Sequence, residues 1–105
     1  PTAVFCANDL AALGALKGCA AAGVPVPRAM SIVGCDDIEM ARVVTPELTT
    51  VAVPARELGA RAARLLLRLI EGKPEARPGK PLPVRLVARG TTAEPQGTAD
   101  TGTPA

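Results

Sequence analysis

Asp9 is the residue of this chain best placed to bind a small molecule. Together with Asn8 it directly follows the apolar run at 4–7, and helical spacing of apolar residues begins after it. This pattern is typical of a parallel strand that leads into a helix, and open α/β sheets bind ligands at the carboxyl ends of such strands. A carboxylate there offers two acceptor oxygens to the hydroxyls of a polyol. We therefore predict a ligand site at Asp9, with Asn8 as the N-cap of the helix.

Other chemistry is poorly supported by the residues present. The chain has no His, Trp or Tyr, so it lacks His-based acid–base catalysis and the commonest transition-metal ligand. It also lacks a Gly-rich phosphate loop and a nucleophile turn of the G-x-S-x-G type. The pair Asp36–Asp37 has no third ligand nearby in sequence, so we interpret it as structural capping and hinge positioning. We expect no catalytic set, no metal and no cofactor, and therefore no enzyme.

Cysteine usage and charge restrict the class of protein further. Cys6, Cys19 and Cys35 fit neither a disulfide framework nor a zinc motif, and we expect small buried thiols in a reducing cytoplasm. The net charge of +2 is too small to indicate a nucleic-acid surface by itself. No apolar run reaches the roughly 18 residues that cross a bilayer, so no membrane partner is expected. The chain begins with Pro rather than Met, and we expect a piece of a longer protein.

Hydrophobic periodicity predicts an α/β fold with a parallel sheet. Residues 3–7 and 30–35 are predicted as buried strands, joined by a helix from Asn8 to a stop at Gly23. Strand, helix and strand within about 30 residues form a βαβ unit with a right-handed crossover, so the two strands should be parallel. The remaining predicted elements are a short helix at 38–44, a strand at 49–53, a helix at 54–71, a basic Pro-rich loop at 73–83, a strand at 84–89 and a disordered tail at 93–105.

The helix predicted at 54–71 is the most regular element of the chain. Arg and Glu alternate along one side of it, which favours a solvated face over a nucleic-acid patch. Its other side is apolar at helical spacing, as expected for a surface that packs on another element. The apolar positions are Leu58, Ala62, Leu65, Leu66, Leu69 and Ile70, and only Leu67 departs from the pattern.

Several segments together resemble the LacI/GalR family of bacterial transcription regulators. Their order and spacing match the last third of that family, and the resemblance covers residues 1–95. The matching segments are Ala7-Asn8-Asp9 with ALG at 12–14, SIVGCDD at 31–37, TPELTTV at 45–51, ELG at 57–59 followed by Ala62-Ala63 and Leu65-Leu66, and LVARGTT at 86–92.

The resemblance implies a partial periplasmic-binding-protein-like fold of type I, with parts of both lobes. Residues 1–92 would then be the C-terminal portion of an effector-binding domain. Residues 3–50 would lie in one lobe, the chain would cross near 51–54, and the long helix would pack on the other lobe. Many members of that family have an aromatic residue where Cys35 stands, so the resemblance does not fix the packing beside Asp36.

The same resemblance implies a function and its partners. Asp9 and Asn8 would bind a sugar-like or nucleoside-like effector, and the segment containing Val43, Val44 and Thr45 would lie at a homodimer interface. Effector binding would change the affinity for operator DNA, which a helix-turn-helix domain absent from this chain would read. The resemblance therefore implies a cytoplasmic regulator.

Two other functions fit parts of the pattern. A periplasmic sugar-binding protein of an ABC transporter has the same fold, but it would need an export signal, and three cysteines are unfavourable there. A truncated α/β enzyme would need a nucleophile with a base or a phosphate loop, and the sequence shows neither. The upstream reading frame separates the first of these from a regulator, because it encodes either a signal peptide or a helix-turn-helix.

Overall fold

The computed structural model describes residues 1–73 and 79–97, and its centre is a four-stranded sheet in the order β1-β2-β3-β4. The strands β1 (Ala3–Phe5), β2 (Ser31–Asp36) and β3 (Thr49–Ala52) are parallel, and β4 (Arg85–Val87) runs antiparallel to β3. The predicted α/β class with a parallel sheet is confirmed. The helices are α1 (Asp9–Ala21), α2 (Met40–Val43) and α3 (Ala55–Ile70).

Helix α1 begins and ends at the residues that the sequence predicts. The side chain of Asn8 accepts a hydrogen bond from the backbone N–H of Ala11 at 2.8 Å, which satisfies one of the free donors of the first turn. Gly23 follows the helix with a φ of +69°, a conformation that favours glycine. The N-cap and the stop signal are both confirmed.

A small core lies between the sheet and helices α1 and α2. It consists of short or branched side chains, as expected for a chain with one aromatic residue. Cys6 is buried as predicted, whereas Cys19 and Cys35 are half-buried, and all three are free thiols. The buried members are Cys6, Ala12, Ile32, Ala41 and Leu48.

Strand β1 is not the buried strand that its apolar sequence predicts. Val4 is 37% exposed and Phe5 is 67% exposed. The reason is its place at the edge of the described sheet, where it pairs with β2 alone. Its side chains therefore find little cover among the described residues.

Helix α3 is amphipathic as predicted, but its apolar face is mostly open. The segment 79–82 runs beside the helix and leaves a groove of about 430 Å³ with Leu58, Leu65 and Leu82 in its wall. The radius of gyration is 19.5 Å, whereas a compact chain of this length has about 13 Å. The structure is therefore extended, and α3 is the least covered of its larger elements.

Two predicted segments fall partly outside the described residues. Of the loop predicted at 73–83, residues 74–78 are not described, and of the tail predicted at 93–105, residues 98–105 are not described. Residues 93–97 form neither helix nor strand. Over the described ranges, none of the helices combines the length and the apolar character that crossing a membrane requires.

Candidate functional site

The carboxyl ends of β1 and β2 bring two exposed polar residues to the same level of the sheet. Phe5 is paired with Val33, and Asn8 and Asp36 each follow three residues later on their own chain segments. Asn8 and Asp36 are both exposed. The crevice of a parallel α/β sheet lies at this edge, so these two side chains border the place where a ligand would bind.

Asp9 lies behind this pair and is fully buried, with 0% of its surface exposed. Its Oδ1 accepts a hydrogen bond from the hydroxyl of Thr50 at 2.5 Å, and its Oδ2 accepts one from the backbone N–H of Ile38 at 2.9 Å. The side chain therefore joins the first turn of α1 to β3 and to the turn after β2. Contact between Asp9 and an effector stays a prediction, and it would require an effector hydroxyl to replace one of these two donors.

Gly34 on β2 makes the position of Asp9 possible. A Cβ atom at Gly34 would overlap Oδ1 of Asp9 and would lie 3.1 Å from Cδ2 of Leu48. Only a residue without a side chain lets the carboxyl group of Asp9 come so close to the strand. The position of Asp9 thus depends on a glycine at a buried position of β2.

Asp37 forms an ion pair that links distant parts of the chain. Its Oδ1 accepts a hydrogen bond from Nη2 of Arg89 at 2.7 Å, and both side chains are only 10% exposed. Its Oδ2 accepts a weaker bond from Arg42 at 3.2 Å. Burial opposes ionisation of this carboxyl, but the hydrogen bonds and charges of Arg89 and Arg42 outweigh it and lower the pKa of Asp37. A positioning role for Asp37 agrees with its interpretation from sequence.

Arg89 is a residue that the sequence does not single out. Its Nη1 donates to the carbonyl of Leu48 at 2.9 Å, and its backbone N–H donates to Oγ1 of Thr49, also at 2.9 Å. The pairing with Asp37 spans 52 positions of the chain, so local spacing contains no signal for it. The one available hint is general, because an arginine that becomes buried needs a carboxylate.

The end of β2 and the start of the turn after it hold two consecutive residues with positive φ angles. Asp36 has a φ of 117° and Asp37 has a φ of 55°, and such a conformation costs a non-glycine residue about 1–3 kcal/mol. Within the described residues the carboxylate of Asp36 accepts no hydrogen bond, in contrast to Asp37 and Asp9. The sequence predicts a structural role for Asp36, although its place directly after a predicted strand also favours a ligand contact.

Thr91 holds the segment after β4 against the sheet, at the end opposite to the carboxyl edge of β2. Its hydroxyl donates to the carbonyl of Ile32 at 2.6 Å and accepts from the backbone N–H of Thr49 at 2.8 Å. It is fully buried, so these bonds satisfy a polar group that water does not reach. The segment after β4 is thereby fixed between β2 and β3.

The residues predicted at a dimer interface lie apart from this edge and differ in exposure. Val43 ends α2 and is 68% exposed, and Thr45 is exposed as well. Val44 is half-buried and packs against the core. A role in dimerisation stays a prediction for all three. Among the described residues, no group of three or more His, Cys, Asp or Glu side chains is arranged to hold a metal ion.

Comparison with known proteins matches most of this chain to one family profile and to bacterial transcription regulators. A family profile for a periplasmic binding protein-like domain matches residues 1–92. The HTH-type transcriptional repressor CytR of Escherichia coli (strain K12) is 40% identical over 92 residues, which are 88% of this chain and 27% of the repressor.

Two solved structures extend the comparison to three dimensions. A LacI family transcriptional regulator from Enterococcus faecium, with bound ribose, aligns with a TM-score of 0.76 and 42% identity over 88% of this chain and 34% of its own. The lac repressor dimer, bound to operator and the anti-inducer ONPF, aligns with a TM-score of 0.77 and 40% identity over 88% of this chain and 32% of its own. The chain thus spans 27% to 34% of the length of these three relatives.

Proposed function

The chain belongs to the LacI/GalR family, and on this premise we propose that it is the effector-sensing part of a bacterial transcription regulator. Its relatives are transcriptional repressors rather than enzymes. The regulator would bind a small sugar-like or nucleoside-like effector between two lobes and would thereby change its affinity for operator DNA. The DNA would be read by a domain outside this chain, so the regulator would act in the cytoplasm.

The observation that carries this proposal is the pair of exposed side chains at the carboxyl edge of the sheet. Asp36 supplies acceptor oxygens that the described residues leave free. Asn8 uses its Oδ1 for the helix cap and keeps its amide nitrogen available to donate. Acceptors and a donor at one level of the sheet suit a ligand with several hydroxyl groups. The ribose in the Enterococcus faecium regulator supports this class of ligand.

Asp9 acts in this proposal from behind the site. Its two hydrogen bonds join α1, β3 and the turn that carries Asp36. It therefore holds Asn8 and Asp36 in register, and it contacts an effector only if Thr50 or Ile38 releases its bond. The distinction is testable, since a positioning role affects folding while a direct contact affects binding.

Effector binding would act through the connection between the lobes. Strand β3 leads into α3, and β4 follows α3 and pairs with β3. The segments that would cross between the lobes before and after α3 are therefore adjacent in the sheet. A ligand that favours one arrangement of the lobes shifts the population of the regulator towards it. In a dimer this changes the spacing of the two DNA-reading domains.

The first experiment is a calorimetric titration of the full-length regulator with D-ribose, followed by nucleosides. We expect Asp36→Asn to weaken binding about tenfold or more, because a hydrogen bond to a charged group contributes about 1.5–3 kcal/mol. Glu39→Gln is the matched control, since Glu39 is an exposed carboxylate three residues away. Asn8→Ser preserves the cap acceptor but removes the amide donor, so it should weaken binding without melting α1. Wild-type affinity in Asp36→Asn would exclude this site.

The dimer is tested separately at Val43. Its side chain is 68% exposed, whereas Val44 packs on the core, so a charge at 44 would confound association with folding. In the full-length regulator, Val43→Asp should produce monomers in sedimentation experiments, because it would bury an unpaired charge at the interface. Val84→Asp is the control, since Val84 is a similarly exposed valine outside the segment, at 60%. A dimer that persists in Val43→Asp would remove this segment from the interface.

A further inference from the structure

We propose that Arg89 is a positioning residue that ties the strained Asp36–Asp37 turn to strands β3 and β4, and so links the lobe crossing to the effector carboxylate of Asp36. The inference rests on the proposed function, because it assigns Asp36 to the effector. It concerns a residue that the proposed function does not place among the effector contacts.

The turn requires a partner that holds it. Asp36 and Asp37 both have positive φ angles, at 117° and 55°, and consecutive left-handed residues other than glycine persist only where the surroundings impose them. The carboxylate of Asp36 is exposed and accepts no hydrogen bond within the described residues, so this side chain does not hold the turn. Asp36 itself pairs with Ala52 of β3, and the two restraints that follow it in the chain are at the carboxylate of Asp37 and the N–H of Ile38.

Arg89 supplies the longest-range of these restraints. One guanidinium nitrogen donates to Asp37 at 2.7 Å and the other donates to the carbonyl of Leu48 at 2.9 Å, so one planar group bridges the turn and the residue before β3. Its backbone N–H also donates to the hydroxyl of Thr49 on β3. Because the guanidinium is rigid and both partners are largely buried, displacement of one end is transmitted to the other.

The position of Arg89 in the chain connects this bridge to the strands that lead to and from α3. Arg89 follows β4 by two residues, and β4 pairs with β3 up to the contact between Ala52 and Arg85. Immediately beyond Ala52 the chain continues into α3. A movement of α3 relative to the sheet would therefore act on β3 and β4 together. It would reach Asp36 through its pairing with Ala52 and would reach Asp37 through Arg89.

Arg42 is a natural control within the same structure. It also donates to Asp37, but at 3.2 Å, and its side chain is 65% exposed. It lies on α2, five residues from Asp37, so it joins the turn only to its own neighbourhood. If a positive charge beside Asp37 were enough to hold the turn, replacing Arg42 would disturb the turn as much as replacing Arg89.

The test compares Arg89→Met, Arg89→Lys and Arg42→Met in the full-length regulator. Methionine retains the length of the side chain and removes all of its donors, and lysine retains the charge but loses the planar bridge to Leu48. Each variant is crystallised, and its affinity for D-ribose is titrated. We expect the turn of Arg89→Met to leave the left-handed region and ribose affinity to fall about tenfold, because only the fraction with a competent turn binds. Arg42→Met should retain both properties.

The outcomes separate the inference from the proposed function. If Arg89→Met, or Arg89→Lys where the first variant does not fold, keeps the positive φ angles at Asp36 and Asp37, the inference is wrong whether or not ribose binds. If only the melting temperature falls while ribose affinity is unchanged, Arg89 has a merely structural role and the inference is also wrong. If the wild type binds no sugar but the turn relaxes in Arg89→Met, the positioning of Asp36 stands and the effector class fails.

Discussion

The sheet and helix α3 are held by different kinds of interaction. In the sheet, buried polar side chains such as Asp9 and Thr91 make hydrogen bonds to residues 29 to 59 positions away. Helix α3 instead has a local i,i+4 ion pair, and the large apolar residues on its face are between 51% and 72% exposed except for Leu65. The sheet region therefore specifies its own tertiary structure, whereas α3 is specified as a helix but not in its packing.

The largest effect is expected at Gly34, where the sheet region is most tightly packed. Gly34→Ala would place a methyl group on the carboxyl of Asp9 and close to Leu48. Both the overpacking and the displaced hydrogen bonds are unfavourable, so the free energy of unfolding of the full-length regulator should fall by about 4 kcal/mol in urea denaturation.

Gly14→Ala is the matched control for this substitution. Gly14 lies in α1, and nothing lies within 4 Å of the position that a Cβ would take. Removal of a glycine from a helix interior should stabilise the protein by about 0.5–1 kcal/mol. Equal effects of the two substitutions would show that the surroundings of Gly34 accommodate a methyl group.

A somewhat smaller effect is expected at Asp9. Asp9→Ala leaves the N–H of Ile38 and the hydroxyl of Thr50 without their acceptor in a buried place, which should cost about 3 kcal/mol in the free energy of unfolding. Asp9→Asn should cost less, because the hydroxyl of Thr50 is able to turn and accept from the amide. Urea denaturation measures both, and Asp36→Ala is the exposed control.

The Asp9→Asn variant also tests the prediction that Asp9 contacts the effector directly. If Asp9→Asn folds as stably as wild type but binds D-ribose at least tenfold more weakly, Asp9 contacts the effector directly. If it loses stability and the folded protein binds normally, its role is positional.

The elements of the sheet region follow from local sequence signals, but the direction of individual side chains does not. The cap at Asn8, the stop at Gly23 and the apolar run of β2 each depend on neighbouring residues, and all are confirmed. Whether Asp9 faces the crevice or the interior depends on Gly34 and Thr50, which are 25 and 41 positions away. Asn8 and Asp9 are equivalent by sequence position, yet one is exposed and the other is fully buried.

In the helix region the sequence predicts the amphipathic face but not the degree of its burial. Periodicity shows that α3 has an apolar side, and periodicity contains no information on what covers it. The exposure of Phe5 on β1 has the same origin, because the apolar composition of a strand indicates burial only where a second layer is present. These differences therefore concern the surroundings of the elements, not the elements themselves.

The contrast between the regions is testable at two adjacent leucines. Leu66 lies on the apolar face of α3 and Leu67 lies off it, although both are 58% exposed. If the other lobe covers the apolar face in the full-length regulator, Leu66→Gln should lower the free energy of unfolding by about 2 kcal/mol and Leu67→Gln by less than about 0.5 kcal/mol. Equal small losses would mean that α3 is as open in the whole protein as it is here.

An effect confined to acid pH is expected from the ion pair of Asp37. Its pKa lies below the ordinary value of 3.8 in the folded protein, so its contribution to stability is complete above that value. The contribution is lost as the pH falls from 3.8 towards the lowered pKa, because the unfolded state then binds the proton more readily. Asp37→Asn should therefore flatten the acid limb of the stability curve, measured by thermal denaturation between pH 2 and 5 (about two units around the ordinary pKa). An acid limb as steep in Asp37→Asn as in the wild type would show that the ion pair does not contribute to stability.

The smallest effect is expected at the ion pair of α3, and it measures how far local interactions stabilise this region. Arg61 donates to Glu57 at 2.7 Å, with the two side chains 45% and 53% exposed. Exposed i,i+4 pairs contribute about 0.3–0.5 kcal/mol and are screened by salt. Glu57→Gln should therefore lower the free energy of unfolding by no more than this, and the loss should disappear in 1 M salt.

Arg61 also donates to the carbonyl of Lys80 at 3.2 Å, so a loss above 1 kcal/mol would show that the pair orders the segment 79–82 against the helix. Such a result would place long-range structure in the helix region, where the present contacts indicate mainly local stabilisation.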